Sequence, residues 1–476
     1  MSAIINNSFR KFNADNFISS FVGNNVYLTI GKNTEWSGAS AGEYIETAPN
    51  DASIPVPIDT TVAYYKNHDD LIAIKKISSA DVSHVIKRVN WTTNTRYAEY
   101  DHLQDDMIDG VNLDANGLPD PAGVLTDFFV MNSTFKVYKC ISNYGGALSV
   151  NEPTNIQTGV FETADHYKWK FMYEVQQADV VKFVTTDWIP IKSPADAISN
   201  PDQSAVEIAA VDGSIEHINI TTAGTLYKNN TGNAIGSTIN TIILASGTGQ
   251  SWETNHQTPG YYDNMTVYIR AGKGVGQLRT ITSYDGNETA TVSPNWDNVN
   301  SYPDSTSVYD VMPAVTLASV DNNDAVAHVT RITASTGAIE SIEMKEEGTL
   351  YRSGTATVSS GLGTGGTAAV LKVLISPRGG HGSNAVNELG GAFVMLNSRL
   401  VGIEGGDFPV GSDFRKVQIM VNPNLSAQLG GGLATGSVYE QAELTTDTGD
   451  IIYSEFRGPI NRASDSTEDI KIVCEF

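Results

Sequence analysis

Cysteine is nearly absent: Cys140 and Cys474 are the only two in 476 residues. At most one disulfide can form, which excludes the dense disulfide framework of a small secreted domain. Both sit in strand-like runs, VYKCIS and IKIVCEF, and read as buried free thiols of a reducing compartment. Charge is sparse as well. Asp, Glu, Lys and Arg make up 18% of the chain, against about a quarter in an average domain. Positive charge is scarcest, with 30 Lys and Arg against 54 Asp and Glu and a net charge of −24. No dense basic run occurs, so nucleic acid is excluded as a partner: a duplex-binding protein needs Lys and Arg to displace counterions. No run approaches the roughly 20 apolar residues that cross a bilayer. The opening MSAIINNSFRKF also lacks the apolar core of a signal peptide. These absences predict a soluble protein made in a cytosol.

What the chain does have is apolar content of 40%, enough for large cores, and a length that suits two to four domains. NVYLTIG, FFVMNSTFKVYKCIS, HYKWKFMYEV, VKFVTTDWIPIK, FVMLNSRLVGI, FRKVQIMVNP, DIIYSEF and DIKIVCEF are β-branched or aromatic runs bounded by Gly, Pro, Asn or Asp, and they read as strands. Helical signals are few and early. NADNFISSF predicts a helix capped at Asn13 or Asp15, with Phe17, Ile18 and Phe21 on one face. SSADVSHVIKRV predicts a second, capped at Ser78 or Ser79, with Val82, Val85, Ile86 and Val89 at helical spacing. HDDLIAIKK predicts a short third. The crossover helices of a parallel sheet are missing, so the strands must pair largely antiparallel. The fold class is therefore mainly β.

One stretch occurs twice. GSIEHINITTAGTLYKNN begins at Gly213 and GAIESIEMKEEGTLYRSG at Gly337; Gly213, Ile215, Ile218, Gly224, Thr225, Leu226 and Tyr227 recur as Gly337, Ile339, Ile342, Gly348, Thr349, Leu350 and Tyr351. Gly224 and Gly348 are expected at positive φ, with the tyrosines and isoleucines forming a small core. The two copies bracket DNMTVYIRAGKGVGQLRTITSYDGNETATVSPNWD, which reads as strands joined by GKGVG and DGN turns. The expected organisation is an N-terminal region over 1–195, an inserted β-rich domain over 196–376 with a nested module at about 241–313, and a C-terminal segment over 377–476 that completes the first region's core. The insert, residues 200–375, is expected to be removable.

Stretches that imitate functional motifs fail on spacing. AGKGVGQ lacks both a GK[ST] and the following helix that a phosphate loop requires, and reads as a glycine hairpin. NLDANG sets Asn112, Asp114, Asn116 and Gly117 at the first, third, fifth and sixth positions of a calcium loop, but the twelfth is Gly123, not Glu. His381, among glycines in PRGGHGS, has no companion base and acid and reads as a turn. No His/Cys pairs show zinc spacing. No catalytic residue, cofactor or metal site is predicted, and the expectation is a protein that is not an enzyme.

The outer parts of the chain resemble one family, the "gene product eight" type of baseplate wedge subunit of contractile-tailed bacteriophages. The resemblance is carried, in order, by YLTIGKNTEWSG (Tyr27–Gly38), RVNWTTNTRY (Arg88–Tyr97), FKVYKCIS (Phe135–Ser142), HYKWKFMYEV (His166–Val175), DWIPIK (Asp187–Lys192), DFRKVQIMVNP (Asp413–Pro423), GDIIYSEFRGPI (Gly449–Ile460) and the terminal TEDIKIVCEF. It covers roughly residues 10–195 and 375–476. It implies antiparallel sandwich-type domains and a structural virion protein in the tail baseplate, synthesised in the host cytoplasm. It also implies a homodimer that contacts other wedge proteins and helps transmit the contraction trigger. On this reading Trp36, Trp91, Arg96, Tyr97, Trp169, Arg415 and Arg457, which lie within or beside those motifs, are the candidate interface residues. The insert is unmatched. The alternative is a carbohydrate-binding tail adhesin, in which Tyr261, Tyr262, Trp296 and Tyr302 of the insert stack on a host-surface glycan.

Overall fold

The computed structural model describes residues 7–37, 50–103, 128–246, 256–399, 410–423, 449–464 and 469–476; the Asn112–Gly117 loop lies outside them. The architecture is mainly β with antiparallel sheets and a few helices, most of them early. The chain forms two compact units. One comprises 1–88, 175–193 and 385–476, the other 89–174 and 194–384. The crossings after Ser193 and Asn384 fall near the expected insert boundaries, but residues 89–174 group with the insert.

The first unit is a sandwich of two four-stranded sheets. One is ordered Leu71–Ile77, Val26–Gly31, Asp413–Val421, Asp450–Asn461; the other Asp469–Glu475, Phe393–Arg399, Val82–Lys87, Trp188–Ile191. Val26, Leu28, Ile30, Val417 and Ile419 of the first sheet share one core with Val394, Leu396, Ile472 and Cys474 of the second. The helix Asn7–Gly23 adds Ala14 and Phe21, with Phe17 and Ile18 packed alongside. The predicted face is right, but the helix starts earlier than expected, so Asn13 and Asp15 lie inside it. Both cysteines are buried and free.

The second predicted helix is a strand. Ser78 and Asp81 do form a capping box, but after the single 3₁₀ turn Ser79–Asp81 the chain enters the strand Val82–Lys87. That strand is sandwiched between Phe393–Arg399 and Trp188–Ile191. Pairing on both edges and burial on both faces override a helical spacing that four β-branched residues only weakly support. The third predicted helix also fails: Leu71–Ile77 is a strand against Val26–Gly31. A helix lies just upstream instead, at Thr61–Asp69, where the Thr60 side chain accepts a hydrogen bond from the Ala63 amide.

In the second unit, Phe129–Met131, Lys136–Ser142, Lys168–Glu174 and Phe161–Glu162 form a four-stranded sheet. Its core is aromatic, with Tyr97, Tyr138, Tyr167, Trp169 and Phe171 all fully buried. A seven-stranded antiparallel sheet takes its strands from residues 230–312, the stretch of the expected nested module. AGKGVGQ joins two of them as a hairpin, with Gly272, Gly274 and Gly276 at positive φ.

The duplicated stretches lock into each other. The Leu226 and Tyr227 amides donate to Thr336 and Gly337 carbonyls at 2.8 and 2.9 Å; reciprocally, Leu350 and Tyr351 donate to Asp212 and Gly213 at 2.7 and 3.0 Å. Gly224 and Gly348 both have φ +66°, as expected, and Leu226 and Leu350 follow in the same left-handed region. Each copy has one strand partner, in matching register. Val326, Ala327, Val329 and Ile332 face Glu346, Met344, Ile342 and Ile339; Val370, Leu371, Val373 and Ile375 face Thr222, Ile220, Ile218 and Ile215. Tyr227 and Tyr351 are fully buried in one shared core with these isoleucines. Their hydroxyls accept matching amide hydrogen bonds, from Ala369 at 2.9 Å and Ala325 at 3.0 Å. The two halves are thus related by an approximate twofold.

Tyr227→Phe and Tyr351→Phe should each cost about 1–2 kcal/mol, because each strands a backbone donor. Their shifts of the urea midpoint should match. Gly224→Ala should cost more, since its Cβ would lie 2.6 Å from the Thr367 carbonyl oxygen at a backbone angle strained for alanine. Unchanged midpoints for both tyrosine variants would refute the matched-halves account.

Candidate functional site

Most of the interface candidates are interior. Trp36 is buried, its indole N–H donating to the Arg457 carbonyl at 2.8 Å and its ring 4.7 Å from Phe456. Trp169 is buried, stacked on Tyr167 at 5.5 Å and edge-on to Tyr97 at 5.8 Å. The Tyr97 hydroxyl accepts from the Thr92 amide at 2.6 Å. Arg415 is buried and grips Asp51 through two nitrogens at 2.8 Å each, with Asp413 3.0 Å from a third. Arg415's hydrogen bond holds the Asp51 carboxyl below its ordinary range. These four serve their own fold and leave little surface for a partner. An aromatic strand pattern does not say which faces are covered, and Lys168–Glu174 is covered on both. Trp91 is half-buried, donating to Ser149 at 3.1 Å. Arg96 and Arg457 are exposed, the latter paired with Glu455. Among the glycan-stacking candidates, Tyr262 and Trp296 are core residues of the seven-stranded sheet, with Tyr261 and Tyr302 packed against them. Tyr262 and Trp296 are therefore closed to stacking, which corrects the expectation for those two, while Tyr261 and Tyr302 keep part of their surface.

The second unit instead contains a cleft of about 310 Å³ that no motif announced. The two repeat copies and the aromatic sheet build it: His217 and Asn219 come from the first copy, Glu340 and Ser341 from the second, Ser142 and Lys168 from the sheet. The Lys168 ammonium lies 3.2 Å from His217 Nδ1. An ammonium can only donate, so Nδ1 accepts and the ring proton sits on Nε2, which donates to Asn219 Oδ1 at 3.2 Å. Asn219 in turn donates to Glu99 at 2.6 Å. Burial first, then the Lys168 charge, lowers the His217 pKa to about 3. Burial also lowers Lys168, against smaller opposing effects of Glu162 and Glu343, and raises Glu99. At the rim Glu162 engages His166 at 2.6 Å, and the exposed Tyr144 ring lies 4.8 Å from that imidazole. On the far wall Arg331 pairs with Glu340 at 2.6 Å.

Further charges are buried on the aromatic sheet. Lys170 pairs with Glu216 at 3.4 Å, both almost wholly buried. Lys139, on the strand position facing Lys170, lies 3.0 Å from His381 Nδ1 and 4.0 Å from the Tyr100 ring centre. His381 lies in a turn, as read from sequence, and is also a buried hydrogen-bonding partner. Removing residues 200–375 would take Glu216 from Lys170 and His217 from Lys168. The insert and the aromatic sheet thus share buried contacts within one compact unit, which the expected organisation did not include.

Chemically, His217 is too weak a base at neutral pH to abstract protons efficiently. What the cleft presents is a positioned ammonium surrounded by hydrogen-bonding groups. Among the described residues no three His, Cys, Asp or Glu side chains converge as a metal site, and no helix is long and apolar enough to cross a membrane. Compared with known proteins, the chain matches no family profile and no curated protein.

The His217 environment fixes the sign of a pH dependence. An unfolded histidine titrates near 6.5 and the folded one near 3, so between those values the unfolded chain binds the extra proton. Stability should therefore fall as pH drops below about 6.5, by up to about 1.4 kcal/mol per pH unit from this group, and gain nothing from it above pH 7. His217→Gln should flatten the acid limb of the urea-midpoint profile between pH 6 and 4. A limb of unaltered slope would show that His217 does not carry it.

Proposed function

We propose that the chain is a structural subunit of the tail baseplate of a contractile-tailed bacteriophage, acting as a homodimer among other wedge proteins and relaying the contraction trigger. The observation that carries this reading is where the family-like segments lie. Tyr27–Gly38, Asp413–Pro423 and Gly449–Ile460 are far apart in the chain, yet they supply three consecutive strands of one sheet, Val26–Gly31, Asp413–Val421 and Asp450–Asn461. Asp187–Lys192 and the C-terminal run supply the two edges of the facing sheet. Phe135–Ser142 and His166–Val175 are direct neighbours in the second unit. The segments that carry the resemblance thus supply neighbouring strands of the sheets, which is what supports this reading. The weak basicity of His217 also favours a role in binding or assembly over proton-transfer chemistry.

The chain should run at twice its 51.1 kDa mass in analytical ultracentrifugation and be found in purified tails by peptide mass analysis. Of the seven interface candidates, the exposed Arg96 and Arg457 should matter most. Arg96→Glu with Arg457→Glu should weaken the dimer at least tenfold, about 1.4 kcal/mol. A purely monomeric chain absent from tails would end this reading.

A further inference from the structure

We propose that the cleft between the two repeat copies and the aromatic sheet is a binding site for an acidic monosaccharide unit, a hexuronic acid, whose carboxylate is received by the Lys168 ammonium. The inference does not depend on where the chain sits in a virion.

Charge comes first. Among the described residues, no carboxylate lies within ion-pairing distance of Lys168. Its hydrogen-bond partner is the neutral His217 ring, which uses one of its three donors. The carboxylates lining the cleft are already engaged, Glu162 by His166 and Glu340 by Arg331. Lys168 thus keeps two donors for an incoming carboxylate. A monoanionic carboxylate matches a single ammonium, whereas a phosphate carries up to two charges and would face Glu162 and Glu340 with the second.

Size comes second. At about 310 Å³ the cleft lies at the small end of the roughly 300–1,000 Å³ usual for ligand pockets, which suits one sugar ring and not a nucleotide. The lining comes third. Thr333, Ser341 and the free lone pairs of Glu340 offer partners for ring hydroxyls, and Tyr144 with His166 supplies an aromatic edge for a sugar face. Finally, Tyr144 and His166 both hold left-handed backbone, φ 52° and 66°. Both sit in tight turns at the cleft mouth, and for the bulky Tyr144 this backbone is uncommon.

The test is isothermal titration of the full chain with glucuronic acid, glucose, N-acetylglutamate and inorganic phosphate. Glucuronic acid should bind saturably at millimolar or lower concentration, with each of the other three at least tenfold weaker. Lys168→Met, which keeps the length of the side chain and removes its charge, should weaken glucuronic acid at least tenfold. Tyr144→Ala, at an exposed position that can change without disturbing the core, should weaken it at least threefold. Absence of saturable glucuronic acid binding to the unaltered chain, or equal binding by Lys168→Met, overturns the proposal. N-acetylglutamate or phosphate binding as tightly as glucuronic acid overturns the assignment to a sugar.

Discussion

Two backbones meet inside the second unit at a separation only glycine permits. A Cβ on Gly213 would lie 2.5 Å from the Tyr351 carbonyl oxygen, and one on Gly337 would lie 2.7 Å from the Leu226 Cα. Each glycine thus makes way for the GTLY turn of the opposite copy, and the reciprocal amide bonds follow from that approach. Of the eight positions at which the copies are identical, all but the Glu216/Glu340 pair are ones the crossing needs. Glycines give clearance and left-handed turns, isoleucines fill the space beneath, and a tyrosine reaches back to hold the neighbouring strand. Packing accounts for most of the residues the two copies share.

The residues that differ between the copies are equally informative. His217 and Asn219 correspond to Ser341 and Glu343. The first copy uses these positions to meet the lysines of the aromatic sheet, and the second uses its own polar positions to close the opposite wall. A symmetric core therefore carries an asymmetric polar surface. Buried ions such as Lys170 and Glu216 contribute little net stability, since desolvation offsets much of their attraction. Their value lies in orientation: a shifted register would leave Lys139, Lys168 and Lys170 facing apolar neighbours, and that alternative is strongly disfavoured.

The β character, the repeat, its glycine conformations and the glycine hairpin were all legible in the sequence, because each rests on local chemistry. The helix expected over Val82–Val89 was not. Short apolar runs satisfy both periodicities, and only the flanking strands decide between them. Trp169 was misjudged as a surface anchor for a related reason: an aromatic strand looks alike whether one or both faces are covered. The cleft left no readable signal, since Lys168, His217 and Arg331 lie on strands that only three-dimensional pairing brings together. The nearest hint was the replacement of His217 and Asn219 between copies that otherwise keep their isoleucines.

The two matched strand pairs differ in one respect that bears on how the chain acquires its shape. Val326–Ile332 and Ile339–Glu346 are joined by a short turn and can zip together as soon as both leave the ribosome. Ile215–Thr222 must wait for Val370–Ile375, with the whole seven-stranded sheet made in between. Closing so long a loop is entropically slower. The later copy in the chain is thus positioned to form first and to serve as a template on which the earlier copy settles, so synthesis order and assembly order run in opposite directions.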